Sequence, residues 1–262
     1  MFKTIIVHVD DSPQIDASLQ AAAWLAHAHG AHLVGSAATG ISWPAYALLS
    51  GSMAVAPRDE FDGLRARQLG VASVEERLVE DESRDALLLQ ARYADLLVLG
   101  RDSPAPGAVR ALADCLALHS ARPVLVVPPT YKGQPLGGTV VAGWDGSVPA
   151  LRAIGAALPL LKEASLVRLA LINPEREAAL HGEEPGADMA VYLARHGVRV
   201  EVVVERTAAA PGHALLDLAH GAGLLVSGAF GHSRYRELLL GGVTRTCSTG
   251  PRCRCCWRIE ML

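Results

Sequence analysis

An internal repeat limits the folds open to this chain more than any other feature. Residues 4–10 form a short apolar run followed by a helix-like stretch, and residues 139–145 begin the same plan again. Farther along each half, residues 93–100 match residues 221–228. Two copies of one strand–helix–strand order predict two α/β domains with parallel sheets.

Within each half, short apolar runs alternate with helix-length stretches, which favours a doubly wound sheet. The predicted strands are 4–10, 32–39, 74–79, 95–100, 123–128, 139–145, 166–173, 198–205 and 223–228. The predicted helices are 13–29, 58–69, 84–93, 107–119, 147–164, 185–196, 210–221 and 238–247, and 41–56 is read as a loop. We assign residues 1–130 to the first domain, 131–138 to a linker rich in turn formers, and 139–246 to the second domain.

Composition and charge exclude several classes of protein. Half of the 262 residues are hydrophobic, enough for a core in each half, yet no apolar run approaches the ~18–20 residues that span a bilayer. The first residues lead straight into a strand and lack the pattern of a signal peptide. The net charge of −3 argues against a general nucleic-acid binder. We therefore expect a cytoplasmic protein that binds neither membranes nor nucleic acid.

A glycine-rich stretch follows the last strand of the second half. Two residues separate Gly228 from Gly231, and nine separate Gly231 from Gly241, which Gly242 follows. Glycines at the carboxyl end of a strand let backbone N–H groups approach a ligand, and ligands bind open parallel sheets at that edge. A helix beginning near Gly241 would add N–H groups and a partial positive charge suited to phosphate.

This stretch resembles the G-x2-G-x9-G-(S/T) nucleotide motif of the universal stress protein family, with Gly242 in place of the closing Ser/Thr. Residues 5–10, 93–100 and 122–129 also resemble that family, the last of these its final strand. The resemblance implies two tandem five-stranded sheets of order 3-2-1-4-5. It also implies that some members bind ATP or a related nucleotide and that members often dimerise through the last strand.

The resemblance also implies a nucleotide site in the second half. Asp145 would lie beside the adenine or ribose, and backbone groups near Ile172 would contact the base. The ligand would be an adenine nucleotide such as ATP, with or without Mg²⁺. The residues that would face its ribose and phosphates are Gly228, Gly231, His232, Ser233, Gly241, Gly242 and Thr244. No residue is assigned a catalytic role.

The first half lacks this motif. No glycine follows Gly100 at the spacing of Gly231, and Pro104 and Pro106 remove N–H groups that a phosphate would need. We interpret this half as a degenerate partner that supplies packing and regulation.

Each candidate has a simpler explanation. Asp145 stands before Gly146 and Ser147, where it could merely cap a helix or turn. The Gly241–Gly242 pair could be turn chemistry, and His232 a solvent-facing loop residue. Other chemistries lack their motifs, because the chain has no P-loop, G-x-G-x-x-G, G-x-S-x-G or H-E-x-x-H sequence.

The tail, residues 247–262, departs from the family pattern. It contains Cys247, Cys253, Cys255 and Cys256, and arginines precede both Cys253 and Cys255. Such a sequence is not expected to form a buried strand, so the second sheet would lack its last strand and expose its fourth as an edge. A reading-frame shift in the gene is one explanation, and a metal or redox element is another, although C-x-C-C lacks ordinary zinc spacing. The last strand of the first domain, 123–127, would then seek another copy and form a homodimer.

Three function classes remain. The first is a stress-response protein that holds an adenine nucleotide in the second domain and acts as a sensor or scaffold. The second is a nucleotide-independent interaction protein of the same fold. The third is a slow nucleotide hydrolase or nucleotidyl transferase, which is disfavoured because no base or metal set is visible.

Overall fold

The computed structural model describes residues 1–10, 15–38, 70–100, 112–133, 138–228 and 257–260. These residues fall into two compact units, one within residues 1–133 and the other from residue 138 onward. Each unit alternates strands and helices, as the repeat predicts.

The first unit contains five strands and three helices among its described residues. They are β1 (Thr4–Val9), α1 (Ile15–His29), β2 (His32–Ala38), β3 (Val74–Val79), α2 (Ser83–Ala91), β4 (Leu96–Gly100), α3 (Leu112–His119) and β5 (Val124–Val127). All strand pairs are parallel, in the order β3-β2-β1-β4-β5. The predicted order 3-2-1-4-5 is therefore confirmed for this sheet.

Burial on both faces explains why the central strands are continuous apolar runs. Ile5, Ile6 and Val7 of β1 are all almost fully buried. One face packs against α2 and α3 through a cluster that includes Ile6, Val34, Leu87, Leu97 and Leu116. The edge strand β3 is more polar and only partly buried.

The second unit repeats this plan. Its elements are β6 (Thr139–Gly143), α4 (Val148–Leu161), β7 (Leu166–Ile172), a 3₁₀ segment (Pro174–Leu180), α5 (Ala187–Arg195), β8 (Val200–Glu205), α6 (Pro211–Leu218), β9 (Leu224–Val226) and β10 (Trp257–Glu260). The pairs are again parallel, in the order β8-β7-β6-β9-β10. Leu215 of α6 packs in one core cluster with Val141, Ala170 and Leu225 of the strands.

The end of the second sheet differs from the prediction. Residues 139–226 supply four strands, as predicted, but the tail contributes a fifth, since Trp257 pairs with Leu224 and Ile259 with Val226. The expectation that the sheet ends at β9 with an exposed edge is thus wrong. The Arg–Cys alternation that argued against a strand ends before residue 257, where β10 begins, and parallel pairing is made by backbone groups.

Some predicted elements lie outside the described residues. These are the helices 58–69 and 238–247, the loop 41–56 and most of the cysteine-bearing tail. Among the residues that are described, no helix combines the length and apolar character required to cross a membrane.

Candidate functional site

The carboxyl ends of three neighbouring strands meet at one edge of the second sheet. β6 pairs with β7 on one side and with β9 on the other. Ile172 is the last residue of β7, and Asp145 and Gly228 each follow the end of their strand by two residues. The fold therefore brings these three predicted site residues to a common edge.

Asp145 fixes the turn that leads from β6 into α4. Its Oδ1 accepts a hydrogen bond from the Ser147 backbone N–H at 3.0 Å. Ser147 is the N-cap of α4, and its Oγ accepts from the Ala150 N–H at 3.3 Å. This capping role is the simpler explanation of Asp145, and it also holds the half-buried carboxylate beside the amino end of a helix, where an anion is stabilised.

Gly146 is required by this turn for two reasons. Its φ of +76° lies in the left-handed region, which favours glycine. A Cβ at this position would lie 2.7 Å from the Leu180 Cβ and 2.8 Å from the Leu180 carbonyl oxygen. The 3₁₀ segment therefore packs against the backbone of the turn, a contact that the sequence did not predict.

Gly228 has a packing role that differs from the one predicted. A Cβ there would lie 2.5 Å from the Ala150 N and 2.7 Å from the Pro149 carbonyl carbon. The space beside its Cα is thus filled by the first turn of α4, and its lack of a side chain lets β9 approach that turn. Contact between its backbone and a ligand stays a prediction.

The loop after β7 is held by a residue that the sequence analysis missed. Asn173 is buried and has a φ of +49°, which few residues other than glycine adopt as readily as asparagine. Its Nδ2 donates to the Thr207 carbonyl oxygen, and its Oδ1 accepts from the Thr207 N–H, both at 2.9 Å. An asparagine directly after a strand is a turn signal, and this could have drawn attention to it. Asn173 thereby fixes the backbone that follows Ile172.

Two buried polar atoms near this edge make no hydrogen bond within the described part of the chain. One is Ser227 Oγ, directly before Gly228, and the other is His181 Nδ1, directly after Leu180. A buried polar atom costs free energy unless it finds a partner. A partner for the Ser227 hydroxyl would therefore be stabilising.

The remaining predicted site residues lie outside the described residues: Gly231, His232, Ser233, Gly241, Gly242 and Thr244. Within the described ranges, no three His, Cys, Asp or Glu side chains come together as metal ligands.

The corresponding edge of the first unit has a different environment. Asp10 stands where Asp145 does, but its Oδ2 lies 3.7 Å from Nδ1 of His8, which is buried. The residue matching His8 in the second unit is Gly143. The two halves therefore surround equivalent aspartates with different groups.

Comparison with known proteins agrees with this architecture. Residues 1–128 match the model of the universal stress protein family. The crystal structure of a universal stress protein from Archaeoglobus fulgidus DSM 4304 has a TM-score of 0.71 and 12% identity over 98% of this chain and 95% of that one. A protein of unknown function from Pseudomonas aeruginosa PAO1 has a TM-score of 0.60 and 15% identity over 99% and 92%.

A third structure, described as a universal stress protein in complex with cAMP, is 28% identical over 49% of this chain and 98% of its own, with a TM-score of 0.38. No curated protein sequence matches the chain significantly. The two larger matches share the two-unit α/β fold over nearly their whole length. The family model thus matches the first unit, and over the whole chain the likeness to a universal stress protein is one of fold.

Proposed function

We propose that the chain binds an adenine nucleotide at the carboxyl edge of its second unit and acts as a sensor or scaffold. The observation that carries the proposal is the convergence of Asp145, Ile172 and Gly228 at the ends of three adjacent strands, beside the amino end of α4. Open parallel sheets bind ligands at this edge.

The described residues fit such a ligand. The Asp145 carboxylate is oriented by the Ser147 N–H, so it can accept a hydrogen bond from a ribose hydroxyl or an adenine amino group. Ser227 Oγ offers a buried hydroxyl that lacks a partner in the described structure. We expect backbone N–H groups at the glycines between Gly228 and Gly242 to bind the phosphates, as their spacing in the sequence predicts. ATP would bind there together with Mg²⁺.

A nucleotide-independent interaction protein is the second candidate. It is favoured by Gly228, because packing against Pro149 and Ala150 alone accounts for a glycine there. It is also favoured by Gly242, which replaces the hydroxyl of the family motif. Under this alternative, the glycines maintain the fold and the partner is another protein.

Isothermal titration calorimetry with ATP, with and without Mg²⁺, distinguishes the two candidates. The wild-type protein is expected to release or absorb heat on binding, and Gly231→Val is expected to abolish it by blocking the backbone approach. Thermal melts of both proteins establish that the variant is folded. Absence of binding heat in the wild type would leave the interaction protein as the better account, and phosphate release above background would support hydrolysis.

A further inference from the structure

Strand β8 is the outer strand of the second sheet within the described part of the chain. It pairs in parallel with β7. Val202 and Val204 are 40% and 37% exposed, although both are apolar residues in the middle of a sheet strand. An apolar outer strand of this kind is a template for pairing with another chain.

The backbone hydrogen bonds show which residues of β8 face outward. The carbonyl oxygens of Arg199 and Glu205 accept from the Val167 and Asn173 N–H groups on the β7 side. In a parallel pair, alternate residues bond to one neighbour. The N–H and C=O groups of Val200, Val202 and Val204 therefore point away from β7.

The equivalent strand of the first unit is protected from such pairing. Register places Val74 of β3 opposite Leu33 and Val200 of β8 opposite Val167, so Glu76 matches Val202. Next to it, Glu75 is hydrogen-bonded to Arg77 and to His32. Charged residues in an outer strand discourage association, and β8 has valine where β3 has glutamate.

We propose that β8 pairs antiparallel with β8 of a second copy of this chain, with Val202 opposite the partner's Val202. In this register, Val200 lies opposite the partner's Val204, so the outward-facing backbone groups meet each other. Arg199 then lies opposite the partner's Glu205, and the twofold symmetry gives two such oppositely charged pairs.

Charge selects this register over its neighbours. Outward-facing residues also meet if the strands shift by one pair in either direction. One shift places Glu201 opposite the partner's Glu201, and the other places Glu201 opposite the partner's Glu205. Like charges directly opposite are destabilising, so only the register centred on Val202 joins the valines without opposing carboxylates.

A six-residue strand buries little surface, so the dimer is expected to be weak and dependent on concentration. Sedimentation velocity of the full chain over a wide concentration range measures it. Arg199→Glu and Glu205→Arg each create like-charge pairs across the interface and should raise the dimer Kd by about tenfold or more. The double variant R199E/E205R restores the opposite charges and should return Kd toward the wild-type value.

Val202→Glu installs the residue found at the matching position of β3 and should leave only monomer at the concentrations where the wild type associates. Glu76→Gln, at the equivalent place in the first unit, is the control and should leave Kd unchanged. Circular dichroism establishes that each variant is folded. The proposal is overturned if the wild type stays monomeric, if V202E associates like the wild type, or if the double variant is no tighter than the single ones.

Discussion

At the residue scale, two left-handed glycines of the second unit differ in what surrounds them. Gly146 and Gly182 have φ of +76° and +66°. A Cβ on Gly146 would overlap Leu180, whereas a Cβ on Gly182 would have nothing within 4 Å. The pair therefore separates backbone strain from steric overlap.

We expect Gly182→Ala to cost about 1–2 kcal/mol of unfolding free energy, from left-handed strain alone. Gly146→Ala should cost more, by a further ~1–3 kcal/mol, because Leu180 and its backbone must move. Urea unfolding of both variants measures the difference. Equal losses would show that the 3₁₀ segment does not pack against the turn as described.

A second residue-scale prediction concerns Glu75 on β3. Hydrogen bonds from Arg77 and then from His32 lower the pKa of Glu75 from 4.5 to about 2. Because its folded pKa is depressed, the carboxylate contributes stability that is complete above pH 4.5 and is lost as pH falls toward 2. The contribution is small, since the group is substantially exposed to solvent.

Glu75→Gln removes this titration. We expect the wild type to be slightly more stable than E75Q at pH 6, and the gap to shrink as pH is lowered from 4.5 to 3. Chemical unfolding at fixed salt, repeated across that range, measures the gap. A gap that stays constant with pH would mean that the Arg77 and His32 contacts do not form in solution.

At the scale of elements, the end of β9 packs closely against the first turn of α4 at the candidate site. Gly228→Ala would place its Cβ 2.5 Å from the Ala150 N, so β9 must separate from α4. We expect a loss of about 1–3 kcal/mol and a lower Tm for the second unit. Gly155→Ala is the matched control within α4.

Gly155 lies in the same helix with nothing within 4 Å of the position its Cβ would take. Its replacement by alanine should stabilise the helix by up to about 1 kcal/mol, because alanine has the higher helix propensity. Differential scanning calorimetry resolves the two effects by their opposite signs. A G228A protein as stable as the wild type would contradict the packing described for β9.

Elements with strong local signals were predictable from sequence. Ser147 followed by Pro149 predicts the start of α4, and the apolar run of β1 predicts a strand buried on both faces. The fifth strand of the second sheet was not predictable in this way. Trp257–Glu260 is short and follows a segment unsuited to burial, so its pairing with β9 depends on tertiary contact and not on local pattern.

Within the candidate site, too, the features set by local pattern were predictable from the sequence, and those set by distant contacts were not. Asp145 and Gly228 could be found from their places in the repeat, because strand ends are visible in sequence. The role of Gly228 could not, since it depends on how closely α4 approaches. Asn173 and Leu180 were missed because their contacts, to Thr207 and to Gly146, join segments that are distant in sequence.

At the scale of the whole molecule, one chain contains two copies of the same sheet, and the residues at the carboxyl ends of their strands differ. In the first unit, His8 lies beside Asp10 and the glycine spacing is absent from the sequence. In the second unit, Asp145 accepts a hydrogen bond from the turn that leads into α4. The duplication therefore supplies an internal control, because the same substitution can be made at matching positions. Unequal binding by the two halves is the central expectation.

Calorimetric titration of ATP into wild type, Asp145→Asn and Asp10→Asn tests this expectation most directly. Asparagine keeps the oxygen that accepts from Ser147 but loses the charge, so D145N should weaken binding by about tenfold or more, while D10N should leave both affinity and stoichiometry unchanged. One nucleotide per chain is expected, bound more weakly by D145N than by the wild type and equally well by D10N. Two nucleotides per chain, or equal effects of the two substitutions, would contradict it.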